Sequence, residues 1–270
     1  MAEPQPAVVA PDDSMRWTFV EMLFALAVSQ VAINVADLIS LGNPWQNKLP
    51  AFAHLTVAFV LIATSWLGWR RSHSPGMVES PKYVFSWRFL ALIGDVLLVV
   101  VYFIIVRAVE IEQKGGESKL AAVVSAQPES IWIWVVFGVY ALWDLATDVF
   151  PRGYIPRAPG RLWTGLKAAF VSMFASVICL VFVGFIVFSF ATTTAGWREV
   201  LFLDGALLCV ILLFRELKAI ENPLAKWLKL KACKAWIEVR PTHGHELTTG
   251  IGLTLVYLLC LLGACMTAGS

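Results

Sequence analysis

Apolar residues in this chain gather into long stretches separated by short polar intervals. A bilayer core takes about 20 mostly apolar residues per helix. That length picks out seven spans, 16–41, 51–69, 87–109, 130–150, 166–192, 199–216 and 248–267. The sixth is the shortest and is charged at both ends. The polar intervals run to about 30 residues at most, too few to bury a core of their own. The expected class is therefore all-α, a polytopic helical membrane protein of about seven transmembrane helices. Its organisation reads as a polar N-terminal tail over 1–15, a six-helix bundle over 16–216, a basic amphipathic interfacial segment over 217–247, and a seventh helix with the C-terminus over 248–270. The tail lacks the basic n-region and small-residue cleavage site of a signal peptide.

Composition agrees with the pattern. The 270 residues are 59% hydrophobic and 15% charged, against about 45–50% and about 25% in soluble domains. Mean hydropathy is +0.73. These values exclude a soluble enzyme, a disordered regulator and a nucleic-acid-binding domain. Cys179, Cys209, Cys260 and Cys265 lie in apolar runs and no CxxC pair occurs, so neither a disulfide framework nor a zinc site is expected. His243-Gly244-His245-Glu246 reads as a solvated loop rather than a metal site. No Ser-His-Asp constellation, Walker loop or dinucleotide fingerprint is present, and no cofactor is expected.

Net charge is only +2, so the distribution of charge carries the information. Arg70, Arg71 and Lys82 lie between spans two and three, and Arg152, Arg157 and Arg161 between spans four and five. Arg215, Lys218, Lys226, Lys229, Lys231, Lys234 and Arg240 follow span six. The alternate loops are poor in basic residues. The positive-inside rule then puts the N-terminus inside. The expected location is a bacterial inner membrane. Trp45, Trp66, Trp69, Trp87, Trp132, Trp163 and Trp197 sit near span ends, as an aromatic belt would. Asn222-Pro223 resembles a helix start, and the Lys, Trp and Leu that follow suit a helix lying on the inner leaflet.

Ionisable residues inside spans are costly and face the protein interior. Glu21 sits one turn from Arg16, near the inner end of span one. Asp144 and Asp148 form an i, i+4 pair that the Arg152–Arg161 loop would neutralise. Asp95 and Asp204 lie deeper, where interhelical ion pairs or a proton relay are the alternatives.

Span one is the most informative stretch. With Leu26 at zero on a helical wheel, Phe19, Met22, Gln30, Ile33 and Asp37 fall within roughly 40° of it, and Ser29 about 60° away. One narrow face thus carries apolar, amide, hydroxyl and acidic groups in turn, with Asn34 beside it. Such groups need partners or water inside a membrane. Either the seam bonds to other spans, or copies of span one assemble around a water-filled pore.

The run Arg16, then Phe19-x-Glu21-x-x-Phe24-Ala25-Leu26-Ala27-x-Ser29, resembles the first-helix signature of the endolysosomal potassium channel family and its bacterial relatives, the transmembrane protein 175 type. The second span, Ala58-Phe59-Val60-Leu61-Ile62-Ala63-Thr64-Ser65-Trp66-Leu67-Gly68-Trp69-Arg70-Arg71, is similar to that family's apolar run ending in Trp, His and Arg. The resemblance covers the first two spans. Val20-Glu21 stands where the family has Ser-Asp, and Trp69 where it has His.

The resemblance implies a homo-oligomer, tetramer favoured, whose first helices line a potassium pathway without a Thr-Val-Gly-Tyr-Gly filter. It places an aliphatic gate at Leu26 and a hydroxyl ring at Ser29, with Met22, Gln30 and Ile33 along the lining. Arg16, Phe19, Glu21 and Trp66 match the motif residues that knit the first two helices together. An Asp37 ring would draw cations, potassium or other monovalent ions, to the pore mouth. Lipid and these ions are the expected partners, with no nucleic acid and no catalytic role. Two other readings stand beside the channel. One is a proton-coupled secondary transporter using Asp95 and Asp204; the other is a non-conducting effector that anchors a cytoplasmic partner through 218–240.

Overall fold

The computed structural model describes residues 11–72, 87–108, 111–114, 117–120, 126–146, 159–189 and 196–228. They form six α-helices: α1 (Pro11–Ser40), α2 (Trp45–Ser72), α3 (Trp87–Arg107), α4 (Ala126–Asp144), α5 (Pro159–Ser189) and α6 (Trp197–Trp227). A two-stranded antiparallel hairpin, β1 (Ile111–Lys114) and β2 (Glu117–Leu120), follows α3, with Ile111 opposite Leu120 and Lys114 opposite Glu117. Gly115-Gly116 lies between the strands in sequence, a strong hairpin signal that the span-based reading passed over. The expected seventh span, 248–267, lies outside the described residues.

By length and composition, four helices are able to cross a membrane, through Thr18–Ser40, Asn47–Arg70, Phe89–Arg107 and Leu166–Ser189. Helices α4 and α6 are not among these four; α4 carries Glu129 and Asp144, and α6 carries Asp204, Arg215 and Lys218. The chain is therefore helical and membrane-like in architecture.

Helix ends explain where the spans shift. Helix α1 begins at Pro11, inside the tail expected over 1–15. Proline suits a first helical position. Between α1 and α2, Lys48 caps α1 from the far side of the turn. Its ammonium donates to the Ile39 and Leu41 carbonyls at 3.1 and 2.5 Å. Those last carbonyls of α1 have no partner in their own helix. Glu199 caps α6 by accepting the Gly196 N–H at 2.7 Å, the return arm of a capping box.

The largest departure is the end of α6. It runs unbroken through Pro223 to Trp227, so no separate helix starts at Asn222-Pro223. Leu217 and Glu221 are buried, and this first part of the 217–247 segment belongs to the bundle, not to an interfacial helix. The rest of that segment, from 229, lies outside the described residues.

The helices close into a ring in the order α1, α3, α4, α5, α6, α2, with α2–α3 and α4–α6 contacts across it. Inside it lie Phe24, Leu55, Leu61, Tyr102, Ile105, Ile133, Phe137, Leu207 and Ile211. Tyr140 of α4 stacks on Phe214 of α6 with centroids 5.0 Å apart and planes 4° apart. Lipid tails are as apolar as leucine, so close packing and interhelical hydrogen bonds hold such helices together. Small residues permit the approach. An added Cβ at Gly68 of α2 would stand 2.1 Å from Nη1 of Arg215, a collision, whereas one at Gly138 of α4 meets only the Leu180 Cδ1 at 3.9 Å.

These two glycines form a matched test. Gly68→Ala should displace the Arg215 guanidinium and cost about 1–3 kcal/mol. Gly138→Ala should be neutral or stabilising by up to about 1 kcal/mol through helix propensity. Thermal unfolding of the purified variants in micelles measures both.

Candidate functional site

Helix α1 joins the ring through one face. Val20, Phe24, Ala27, Val31 and Leu38 are buried against α2 and α3. These positions lie roughly 100–160° around the helix from Leu26. The face carrying the sequence-predicted seam therefore points out of the bundle. Phe19, Met22, Leu26 and Ile33 are 51, 59, 54 and 53% exposed, and Ser29 and Asp37 are exposed as well. Only 22% of the apolar window of α1 is buried, against 44–50% in the other three.

Two members of the seam behave differently. Gln30 is half-buried and donates to the Asn34 Oδ1 at 2.9 Å. Asn34 is buried and donates in turn to the Val106 carbonyl of α3 at 2.9 Å. This amide relay ties α1 to α3, so Gln30 is engaged within the chain instead of lying open on the seam. Ser29 donates to the Ala25 carbonyl at 2.8 Å, which satisfies its proton inside α1 and leaves its lone pairs outward.

Glu21 and Phe19 are exposed, and Phe24 of α1 lies 6.1 Å from the Trp69 ring of α2. Trp66 lies under the Arg70 guanidinium at 5.4 Å. Arg16 belongs to α1, but its side chain is outside what the structure describes.

A second set of polar groups occupies the ring interior. Helices α2, α4 and α6 each contribute to two layers. The first holds His54 of α2, Glu129 of α4 and Asp204 of α6, all at most 2% exposed. His54 Nδ1 is hydrogen-bonded to Glu129 Oε2, and Nε2 donates to the Ile105 carbonyl of α3 at 2.8 Å. Asp204 stands near Glu129, and both of its carboxyl oxygens are buried without a hydrogen-bond partner among the described residues.

The second layer lies 11 residues further along each helix, at Ser65, Tyr140 and Arg215. Eleven residues are about three turns and about 16 Å, returning to the same face within about 20°. Ser65 Oγ bonds the Tyr140 hydroxyl, which is 2.8 Å from the Tyr102 hydroxyl of α3. The Arg215 guanidinium reaches over Gly68 of α2.

One turn beyond, Lys218 bonds Asp144 Oδ1 and Glu221 Oε1 at 2.9 Å each, and the Ser172 carbonyl of α5 at 3.2 Å. Ser176 of α5 donates to Asp144 Oδ2 at 2.6 Å. Asp144 thus has a counter-charge in Lys218 of α6, while the side chains of the Arg152–Arg161 loop lie outside the described residues. Asp95 accepts from Trp143 Nε1 at 3.0 Å and so joins α3 to α4. Asp95 and Asp204 belong to different clusters.

His54 and Glu129 are the residues that sequence reasoning missed. The expected fourth span, 130–150, begins one residue past Glu129, and His54 stands in the sequence as one of four scattered histidines. The shared 11-residue offset from His54, Glu129 and Asp204 is a signal that could have found them.

Chemistry elsewhere is thin. A cleft of about 390 Å³ between α1 and α2 is lined by Val28, Val31, Phe52, Leu55 and Phe59, with Thr56 turned back onto the Phe52 carbonyl. Among the described residues no group of three His, Cys, Asp or Glu is placed to hold a metal ion. His243, His245 and Glu246 lie outside them. No family model, curated protein or solved structure matches the chain.

The Lys218 cluster carries a stability prediction. Lys218→Met leaves Asp144 and Glu221 without their shared cation, and breaking a buried pair from one side costs about 3–5 kcal/mol. The Lys218 side chain is 24% exposed, so the lower end of that range is expected. Adding Asp144→Asn should restore part of the loss, read as recovery of Tm in micelles.

Proposed function

We propose that this protein is a homo-oligomeric cation channel, potassium being the conducted ion, in which copies of α1 surround a central pore. The observation that carries this reading is the outward seam of α1, with exposed Ser29 and Asp37 among large exposed aliphatic side chains. A helix facing lipid alone gains nothing from a hydroxyl and a carboxylate on the same stripe as Leu26. A helix facing its own copies across a water-filled axis uses all three. The resemblance of the first two spans to the endolysosomal potassium channel family points the same way and favours a tetramer.

In the proposed assembly Leu26 side chains converge on the axis and close it by contact and dewetting, and Met22 and Ile33 extend the apolar constriction. Ser29 supplies a hydroxyl ring about one turn above. Asp37 lies 11 residues beyond Leu26, about 16 Å along the axis, where a ring of carboxylates raises the local cation concentration. Opening requires only a small rotation or spread of α1. The amide relay from Gln30 through Asn34 to α3 would carry such a movement to the rest of the bundle. With seven spans and the N-terminus inside, Asp37 stands at the outer mouth, in a bacterial inner membrane.

A second reading, proton-coupled secondary transport through Asp95 and Asp204, draws on the burial of both carboxylates in α3 and α6. The third, an anchor for a cytoplasmic partner, rests on a basic segment that lies mostly outside the described residues.

Potassium flux into liposomes separates the readings. Leu26→Ala should raise basal flux several-fold, and Asp37→Asn should lower cation flux, most at low ionic strength where screening is weakest. Unchanged flux in both variants overturns the pore assignment. Flux that tracks an imposed proton gradient and ignores Leu26 favours the transporter.

A further inference from the structure

The first interior layer permits a count of its protons. His54 Nε2 stands 2.8 Å from the Ile105 carbonyl oxygen, which only accepts, so Nε2 carries hydrogen and donates. His54 Nδ1 faces Glu129 Oε2, and one proton is shared along that line, on the ring or on the carboxyl. Asp204 stands near Glu129 and is 1% exposed. A carboxyl group buried with neither a donor nor a cation beside it holds its proton, because its charged form is costly there. Glu129 Oε1 and both Asp204 oxygens have no hydrogen-bond partner among the described residues.

The cluster is therefore neutral when it holds a second proton: imidazolium, carboxylate and carboxylic acid sum to zero. Removing that proton to water leaves one net negative charge enclosed by four helices. Burial without compensation makes that state costly.

No nearby cation relieves it among the described residues. Lys48, at the start of α2, is spent on the Ile39 and Leu41 carbonyls of α1, and Arg107 of α3 is exposed. Arg215 of α6 lies 11 residues, or about 16 Å, further along its helix. Asn34 of α1 is uncharged, and the charge partner that acts on His54 and on Asp204 is Glu129 itself. On α5, Cys179 is turned onto the Val210 carbonyl of α6.

We infer that His54, Glu129 and Asp204 form a proton-binding site inside the bundle, which keeps its second proton while α2, α4 and α6 are closed together and releases it to water when the N-terminal ends of α4 and α6 part from α2. The ligand is the proton itself. His54 is held at both ring nitrogens, Glu129 sits in the first turn of α4 and Asp204 seven residues into α6, so one titration bears on three helices at once. Water has to reach the cluster both to accept the proton and to solvate the charge left behind. Proton occupancy and closure of this end of the bundle are thus linked, whatever passes along α1.

Infrared difference spectroscopy on the full-length protein in lipid tests the site directly. The closed protein should show the carbonyl stretch of a protonated, buried carboxylic acid at neutral pH, shifted in deuterated water and reversibly lost as the pH is raised. Asp204→Asn should remove the band, and Glu129→Gln should move or remove it. Absence of the band at neutral pH, or its persistence unchanged in both variants, overturns the proposal. Hydrogen exchange on the unmodified protein serves where a variant does not fold. Protection of 126–133 and 200–207, corrected for intrinsic exchange rates, should fall about tenfold or more over the pH range in which the band is lost. Protection that stays constant through that range shows a static structural network and overturns the coupling.

Discussion

A carboxylate enclosed by helices has to hold a proton or meet a cation, and three of the interhelical junctions in this protein are shaped by that requirement. At Asp144 the answer is a cation, Lys218, with Ser176 on the other oxygen. At Glu129 it is the His54 imidazole on one oxygen, the other being left without a hydrogen-bond partner among the described residues. At Asp95 an indole N–H contributes. Because lipid offers helices no hydrophobic reason to associate, these polar junctions, with the close approach at Gly68, define which helix stands beside which. The ring order follows from them: α4 meets α3, α5 and α6 through Asp95–Trp143, Asp144–Ser176 and Asp144–Lys218.

Helix α1 stands apart from this scheme. Its polar groups divide between Asn34, which is buried and bonded to α3, and Ser29 and Asp37, which lie on the outer surface. The same helix therefore carries one polar contact that completes the chain and others that the single chain leaves open. This contrast separates a seam satisfied by neighbouring spans from one directed outward. It is also why the channel reading concerns the surface of the bundle, whereas the proton site concerns its interior. The two are joined by Asn34, which sits on Val106 one residue from the Ile105 carbonyl that fixes His54.

Legibility from sequence followed the range of the forces involved. Span positions depend on local apolarity, and α1, α2, α3 and α5 lie where hydropathy alone puts them. The heptad-scale position of Leu26, Ser29 and Asp37 on one face also needs only helix geometry. Pairings between distant residues were not legible in the same way. Asp144 seemed to belong with the nearby Arg152–Arg161 loop, and Lys218 with an interfacial helix, yet 74 residues separate the two groups that bond. Glu129 was lost to a boundary drawn one residue too late, since hydropathy discounts a buried carboxylate whose cost is offset elsewhere.

The amino-acid sequence alone determined that this chain is helical and membrane-like, which stretches become helices, and which residues share the Leu26 face, because each is set by composition and a 3.6-residue turn. Tertiary structure alone decided that this face looks outward, that α6 continues to Trp227, and that His54, Glu129 and Asp204 meet. Those outcomes depend on hydrogen bonds and charges brought together from separate helices, and a buried charge takes its partner by distance in space, not by distance along the chain.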